Sequence, residues 1–169
     1  MAGEWTVSVA ELTEEAFAPY GRIIRQPAMP ATSSGAGWAC WYGVQALEAQ
    51  WPLHFGTVRT RYRPIVVEEM ERHVHTFELL YPHDHALIQP VAPPGALDDP
   101  EARPDPATVK AFRIPVGAGI IMHAGTWHSP AFPEREDTTY TFACMEPDFA
   151  SETLWVPLSD GSAVRVLSA

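Results

Sequence analysis

Apolar and polar positions alternate in short runs along the 169-residue chain, and turn-forming residues separate the runs. Side chains of a strand point alternately to its two faces, so these runs predict short strands. Thr138 to Met145 is the longest late run, and Ile120 to Met122 is a short apolar one. The predicted extended segments cover residues 5–9, 21–24, 38–42, 54–62, 86–91, 108–114, 120–122, 138–145 and 154–158.

One short helix is predicted near the N-terminus. Thr13 is placed to cap it, and Glu14 and Glu15 follow in its first turn. Seventeen prolines and eleven glycines favour many strands joined by turns over long helices. We therefore expect a mainly β fold with a short N-terminal helix. Its length suits one domain over residues 1–169, with an N-terminal extension over 1–37 and a barrel core over about 38–158.

Composition narrows the function classes. The formal net charge of −10 and the pI near 5.0 weigh against binding to nucleic acid or to an anionic membrane. No apolar run reaches the roughly 18 residues of a membrane span. With only Cys40 and Cys144 and no signal peptide, we expect a cytoplasmic protein, and a disulfide between the two cysteines stays open.

Metal-binding residue types concentrate in two places about fifty residues apart. On a strand, Glu71 and His73 would point the same way, and a tight turn would then bring Glu78 back alongside. His128 follows a turn at Gly125 and begins another strand. Two carboxylates and two imidazoles that converge suit Fe, Mn, Ni, Zn or Co, so the sequence predicts a divalent transition-metal site.

Several roles near this site stay open. Glu71 could instead be a general base or pair with Arg72. His75 shares the parity of His73, so it could line the pocket or replace a ligand. His123, five residues before His128, is a candidate proton-transfer group.

Three alternating arginines form another candidate site. Arg59, Arg61 and Arg63 would lie on one face of a strand, either as an anion-binding set inside a barrel or on a solvated outer face. The solvated face is favoured for the three together, and Arg59 is the candidate for a role in the pocket.

The two metal-binding segments resemble the signature motifs of the cupin superfamily, a double-stranded β-helix that forms a jelly-roll-like barrel. Glu71-x-His73-x4-Glu78 stands where that superfamily has His-x-His followed by Glu, and His123-x-Gly125-x-x-His128 resembles Pro-x-Gly-x-x-His. A rival register would begin the first motif at His73-x-His75. It leaves Glu78 too close to His75 for the usual spacing, so we favour the first register.

A more specific resemblance, over about Leu12 to Pro147, is to the bacterial ureidoglycolate lyases of allantoin catabolism. It rests on three segments of this sequence: residues 12–24 (Leu-Thr-x-x-x-Phe-Ala-Pro-Tyr-Gly-x-Ile-Ile), 70–73 (Met-Glu-Arg-His) and 119–130, with Gly-Thr-Trp-His-x-Pro. The resemblance implies a homodimeric, metal-dependent cupin lyase that splits ureidoglycolate, a small hydroxy-carboxylate, into glyoxylate and urea. Its catalytic base would be Glu71 or His123, and Arg59 or Lys110 would hold the substrate carboxylate.

Departures from that family fall around the expected pocket. Glu78 stands where the family usually has Gln, and Met122 replaces a Tyr. Trp41 replaces an expected Arg and would contact the substrate. These changes predict a drier, more aromatic cavity and leave two alternatives to the lyase open. One is an enzyme of changed chemistry on a less polar carboxylate (Fe(II) oxygenase, isomerase or dehydratase), and the other is a non-catalytic cupin that binds a small ligand.

Overall fold

The computed structural model describes residues 4–48, 50–145 and 155–167. One α-helix, α1, spans Glu14–Phe17, and Thr13 caps it by accepting a hydrogen bond from the Ala16 backbone N–H at 3.2 Å. A single 3-10 turn covers Pro106–Thr108. The strands are β1 Glu4–Glu11, β2 Gly21–Arg25, β3 Ser33–Gly35, β4 Trp38–Cys40, β5 Leu53–Thr60, β6 Val66–Val67, β7 Glu69–Met70, β8 Glu78–Pro82, β9 Leu87–Ala92, β10 Lys110–Ile114, β11 Ala118–Met122, β12 Trp127–His128, β13 Phe132–Pro133, β14 Thr138–Met145, β15 Val156–Pro157 and β16 Ala163–Leu167.

Two curled sheets make up most of the structure. The seven-stranded sheet has the order β12-β9-β10-β1-β16-β6, and β13 also pairs with β9. The five-stranded sheet has the order β2-β11-β8-β14-β5. The mainly β fold with one short helix is as the sequence predicts, and the curled sheets are consistent with a cupin-type barrel.

The buried core between the sheets is partly aromatic. Phe17 of α1 meets Phe112 of β10 edge to face at 5.3 Å, and Tyr20 packs 5.6 Å from the same Phe112 ring. Aromatic pairs in this geometry add to the hydrophobic contribution of their burial. Tyr140 and Phe142 of β14 join the same cluster. The inner faces of both sheets thus surround one apolar interior.

Three local predictions differ from the structure. The loop expected at residues 27–37 contains β3, which pairs with β4 as a hairpin. The strand expected from residue 108 begins at Lys110, because Thr108 belongs to the 3-10 turn. The sequence analysis missed β16, which pairs in parallel with β1 and antiparallel with β6, since partners that are distant in sequence make its short alternating run a strand. Leu154, in the last predicted segment, lies outside the described residues.

Two expectations about the chain as a whole also have outcomes. No disulfide joins Cys40, which is exposed, to Cys144, which is buried. Within residues 4–48, 50–145 and 155–167, none of the helical segments has the length and apolar character needed to cross a membrane.

Candidate metal centre

Backbone pairing brings the two metal-binding segments together. Glu71 and His128 form an antiparallel bridge, in which each residue donates its N–H to the carbonyl of the other at 2.8 and 2.9 Å. Two residues on, the Gly125 N–H donates to the His73 carbonyl at 2.7 Å. Gly125 has φ +80°, a conformation that glycine adopts without a steric penalty. The turn before His128 therefore fixes both segments side by side.

Glu78 completes the group from the five-stranded sheet. It begins β8, between Met122 of β11 and Cys144 of β14. Its Oε2 lies 2.8 Å from His73 Nε2 and 3.2 Å from His128 Nε2, while Glu71 Oε1 lies 3.7 Å from His128 Nε2. One donor atom from each of the four side chains lies within 4.8 Å of the others. The four residues form a candidate metal-binding cluster.

The charges in this cluster shift two pKa values in opposite directions. Burial alone would raise the pKa of Glu78, but the charge of His128 and hydrogen bonds from both histidines outweigh it and lower this pKa to about 2. Burial alone would lower the pKa of His128, but the charges of Glu78 and Glu71 and the Glu78 hydrogen bond raise it to about 9. Without a metal, the cluster is held together by an ion pair.

The donor set suits a single divalent ion. His128 Nδ1–H donates to the Thr126 carbonyl at 2.9 Å, which directs the Nε2 lone pair toward the carboxylates. All four donor atoms lie within 4.8 Å of one another, close enough that one ion could be held between them. The mixed nitrogen and oxygen set fits Ni, Mn, Fe, Zn and Co alike.

Arg72 lies between Glu71 and His73 in the sequence, but its side chain points away from the candidate metal-binding cluster. Its guanidinium stacks on the Trp127 ring at 4.5 Å and donates to the main-chain carbonyls of Ala96 at 3.0 Å and Asp99 at 2.7 Å. The alternative in which Glu71 pairs with Arg72 is therefore wrong, because the two side chains point to different sides. Arg72 instead holds the surface loop that contains Ala96 and Asp99 against the side of the site that faces away from the cavity.

The four candidate ligands line a cavity of about 200 Å³ inside the barrel. The sequence analysis missed the rest of its wall. Tyr140 and Phe142 alternate with Thr139 and Thr141 along β14, and that sequence pattern could have identified them as inward-facing. The other wall residues are Val58, Leu80, Ser129, Pro130 and Ala131.

Two polar side chains matter for this wall: Tyr140 belongs to it, and Gln89 supports it from outside the cavity. Burial raises the pKa of Tyr140 above its ordinary value, and the Glu78 and Glu71 charges raise it further, so its hydroxyl stays protonated. Gln89, fully buried, donates from Nε2 to the Ser129 carbonyl at 2.7 Å and so fixes the segment that follows His128.

The structure places His75 and His123 on a different cavity, of about 450 Å³, which Arg22 and Glu48 also line. Met122 faces inward on β11, so the next residue, His123, emerges on the outside. The parity assigned to His75 fails because the chain between Glu71 and Glu78 is not a strand. Burial lowers the pKa of His123, and the Arg22 charge lowers it further.

The other predicted substrate contacts also lie elsewhere. Arg59 is exposed, because its neighbour Val58 is the residue of β5 that faces the cavity. Lys110 is exposed at the first residue of β10. Trp41 donates from Nε1 to the Met29 carbonyl at 2.8 Å and lines a third cavity together with Tyr81. None of the three lines the cavity of the candidate metal centre.

Comparison with known proteins identifies the family. The family model described as ureidoglycolate lyase matches residues 4–154, most of the chain. The chain belongs to the ureidoglycolate lyase family. A protein named ureidoglycolate lyase from Stutzerimonas stutzeri (strain A1501) is 29% identical over 140 residues, which cover 78% of this chain and 79% of that protein. A lyase activity is thus shared by name between the family and this relative.

The solved structures that match this chain are more distant from it in sequence. A dTDP sugar isomerase from Desulfovibrio desulfuricans G20 matches with a TM-score of 0.47 and 11% identity over 83% of each chain. QdtA, a sugar 3,4-ketoisomerase from Thermoanaerobacterium thermosaccharolyticum in complex with TDP, matches with a TM-score of 0.43 and 10% identity. That match covers 60% of this chain and 64% of QdtA, less than two thirds of its length.

Proposed function

We propose that this protein is a metal-dependent lyase that cleaves a small hydroxy-carboxylate. The proposed substrate is ureidoglycolate, the substrate of the family, and the products are glyoxylate and urea. The observation that carries the proposal is the convergence of Glu71, His73, Glu78 and His128 in one barrel cavity. Membership of the ureidoglycolate lyase family supplies the reaction class. The cofactor would be a divalent ion among Ni, Mn, Fe, Zn and Co.

The side chains of the cavity can divide the chemistry between them. A divalent ion held by these donors would act as a Lewis acid, lowering the pKa of a bound hydroxyl and orienting it. Glu71 is our candidate base, because it lies farther from His128 than Glu78 does, at 3.7 against 3.2 Å. As Glu71 takes the hydroxyl proton, the electron pair left on oxygen forms the carbonyl of glyoxylate and the C–N bond breaks.

The leaving urea needs a proton. Tyr140 lines the same cavity and its raised pKa keeps the hydroxyl protonated, so we assign it the role of general acid toward the leaving nitrogen. The proton collected by Glu71 restores the phenol through solvent. His123 has no role in this scheme, because it lines the other cavity.

Release of urea from ureidoglycolate tests the proposal. Protein reconstituted with each candidate ion should release urea above the background rate, and Glu71→Gln should lower kcat by about a hundredfold or more while retaining metal, because a Gln oxygen can still coordinate. Glu78→Ala, which removes a donor atom altogether, should instead lower metal affinity. Absence of urea release with every ion, at full metal content, would overturn ureidoglycolate as the substrate.

We also propose a cytoplasmic homodimer. Large apolar side chains are exposed on β4 and β5, with Trp38 at 56% and Phe55 at 70% of their surface accessible, and such exposure is common at subunit contacts. Light scattering on purified protein tests the dimer; a monomer mass at micromolar concentration would contradict it.

A further inference from the structure

The candidate metal cavity has a polar end and an apolar end. Its polar end consists of the four candidate ligands. Away from them, the wall residues within the described ranges are Val58, Leu80, Pro130, Ala131 and Phe142, with two hydroxyls, those of Ser129 and Tyr140. The Ser129 hydroxyl already donates to the Pro130 carbonyl at 3.2 Å.

No positive side chain serves this cavity. All eleven arginine and lysine residues of the chain lie in the ranges that the structure describes, and none lines it. Arg63, on the far side of the wall, stacks on the Phe132 ring at 4.4 Å, and Arg72 stacks on Trp127 behind the ligands. Burying a carboxylate without a cation or hydrogen-bond donors is strongly unfavourable. The apolar end therefore disfavours a second charged group.

Three neighbouring strands build the apolar end to a defined shape. On β14, Phe142 lies opposite Leu80 of β8 and Gly56 of β5. A Cβ at Gly56 would lie only 2.2 Å from the Phe142 ring, so the ring rests directly on the glycine backbone. Val58 follows Gly56 on the same face. Phe142 and Val58 thus present a continuous apolar surface to whatever extends beyond the candidate ligands.

We infer that Phe142 and Val58 make the site selective for small acids whose chelating end meets the candidate ligands and whose other substituent is compact and uncharged, so that dicarboxylates are excluded. This inference rests on the proposed function, because it takes the metal-chelating end from it. The ureido group of ureidoglycolate is uncharged and meets this requirement, whereas the second carboxylate of a dicarboxylic acid does not.

Two acids with the same chelating end test the inference by binding. In 2-hydroxyisocaproate and malate, an isopropyl group and a carboxylate of similar shape occupy the same position. Titration calorimetry on protein loaded with the ion it retains best should show 2-hydroxyisocaproate binding at least tenfold more tightly than malate. Val58→Thr with Phe142→Tyr, which adds a hydroxyl at each position and keeps the scaffold, should reduce this preference at least threefold without changing metal content.

A control comes from the same strand. Thr57 is exposed on the outer face of β5, next to Val58, so Thr57→Val should leave the preference unchanged. Malate binding as tightly as or more tightly than 2-hydroxyisocaproate would overturn the inference and leave the metal-dependent function standing. Failure of the protein to take up any metal would overturn the proposed function first, and elemental analysis before the titration separates the two results.

Discussion

Two pairs of histidines differ sharply although they are close in sequence. His73 and His128 are almost fully buried inside the barrel beside two carboxylates, whereas His75 and His123 line a cavity outside it, near Arg22. Burial acts to lower the pKa of both His128 and His123. The carboxylates reverse this effect at His128, and Arg22 reinforces it at His123. Neighbouring charge, more than residue type or motif position, decides what each imidazole can do.

The largest expected effect separates the pairs by metal content. His73→Ala with His128→Ala should weaken metal binding by more than a hundredfold, because two of four donors are lost. The matched double variant His75→Ala with His123→Ala removes as many imidazoles from the outer cavity and should retain stoichiometric metal. Elemental mass spectrometry of both proteins measures the difference. Equal metal content in the two variants would mean that the inner cluster is not the metal site.

A smaller effect is the pH dependence of metal binding. The pKa of His128 is raised to about 9, so a metal ion must displace a proton from it at neutral pH. Between pH 7 and 9 the apparent affinity should therefore rise by about tenfold per pH unit, with about one proton released per ion. Competition with a chelator of known proton affinity measures this. An affinity that is flat over this range would contradict the ion pair.

Removing the ion pair should also change how stability depends on pH in the metal-free protein. The folded pKa of His128 lies above its ordinary value, so its contribution is complete below about pH 6.5 and disappears as pH rises through about 9. Glu78 has the opposite sign: its contribution is complete above about pH 4.5 and disappears as pH falls toward 2. Urea unfolding of wild type and Glu78→Gln at pH 6 and pH 10 should show a difference that narrows at pH 10.

Sequence patterns predicted the part of this molecule that depends on local order. Alternation identified most long strands, including Thr138–Met145 with both ends correct, and motif spacing brought together Glu71, His73, Glu78 and His128. Inward parity failed at His75, because the chain around it is not a strand. It also misplaced Arg59, since the face that a strand buries depends on its neighbours, here β14. The apolar end of the cavity is formed by residues of three strands, β5, β8 and β14. These strands are separated in sequence, so no local pattern could predict their meeting.

The smallest expected effect concerns the Arg72 contact. Arg72→Met should lower the free energy of unfolding by about 2 kcal/mol, because two part-buried hydrogen bonds from a charged donor to main-chain carbonyls are lost. Asp99→Asn, which keeps the carbonyl that Arg72 binds, should change it by less than about 0.5 kcal/mol. Denaturant titration measures both variants, and similar losses in the two would mean that the Asp99 side chain, rather than the main chain, holds the loop.

In the loop that it binds, Arg72 donates its hydrogen bonds to main-chain oxygens, those of Ala96 and Asp99. A backbone carbonyl is the same whichever amino acid carries it, so the side chains of this loop are free to drift over evolutionary time. The length and turn geometry of the loop are not free to change, because an insertion between Ala96 and Asp99 would move one carbonyl away from the guanidinium. Among relatives, we expect a loop of constant span and variable composition wherever the arginine between Glu71 and His73 is kept.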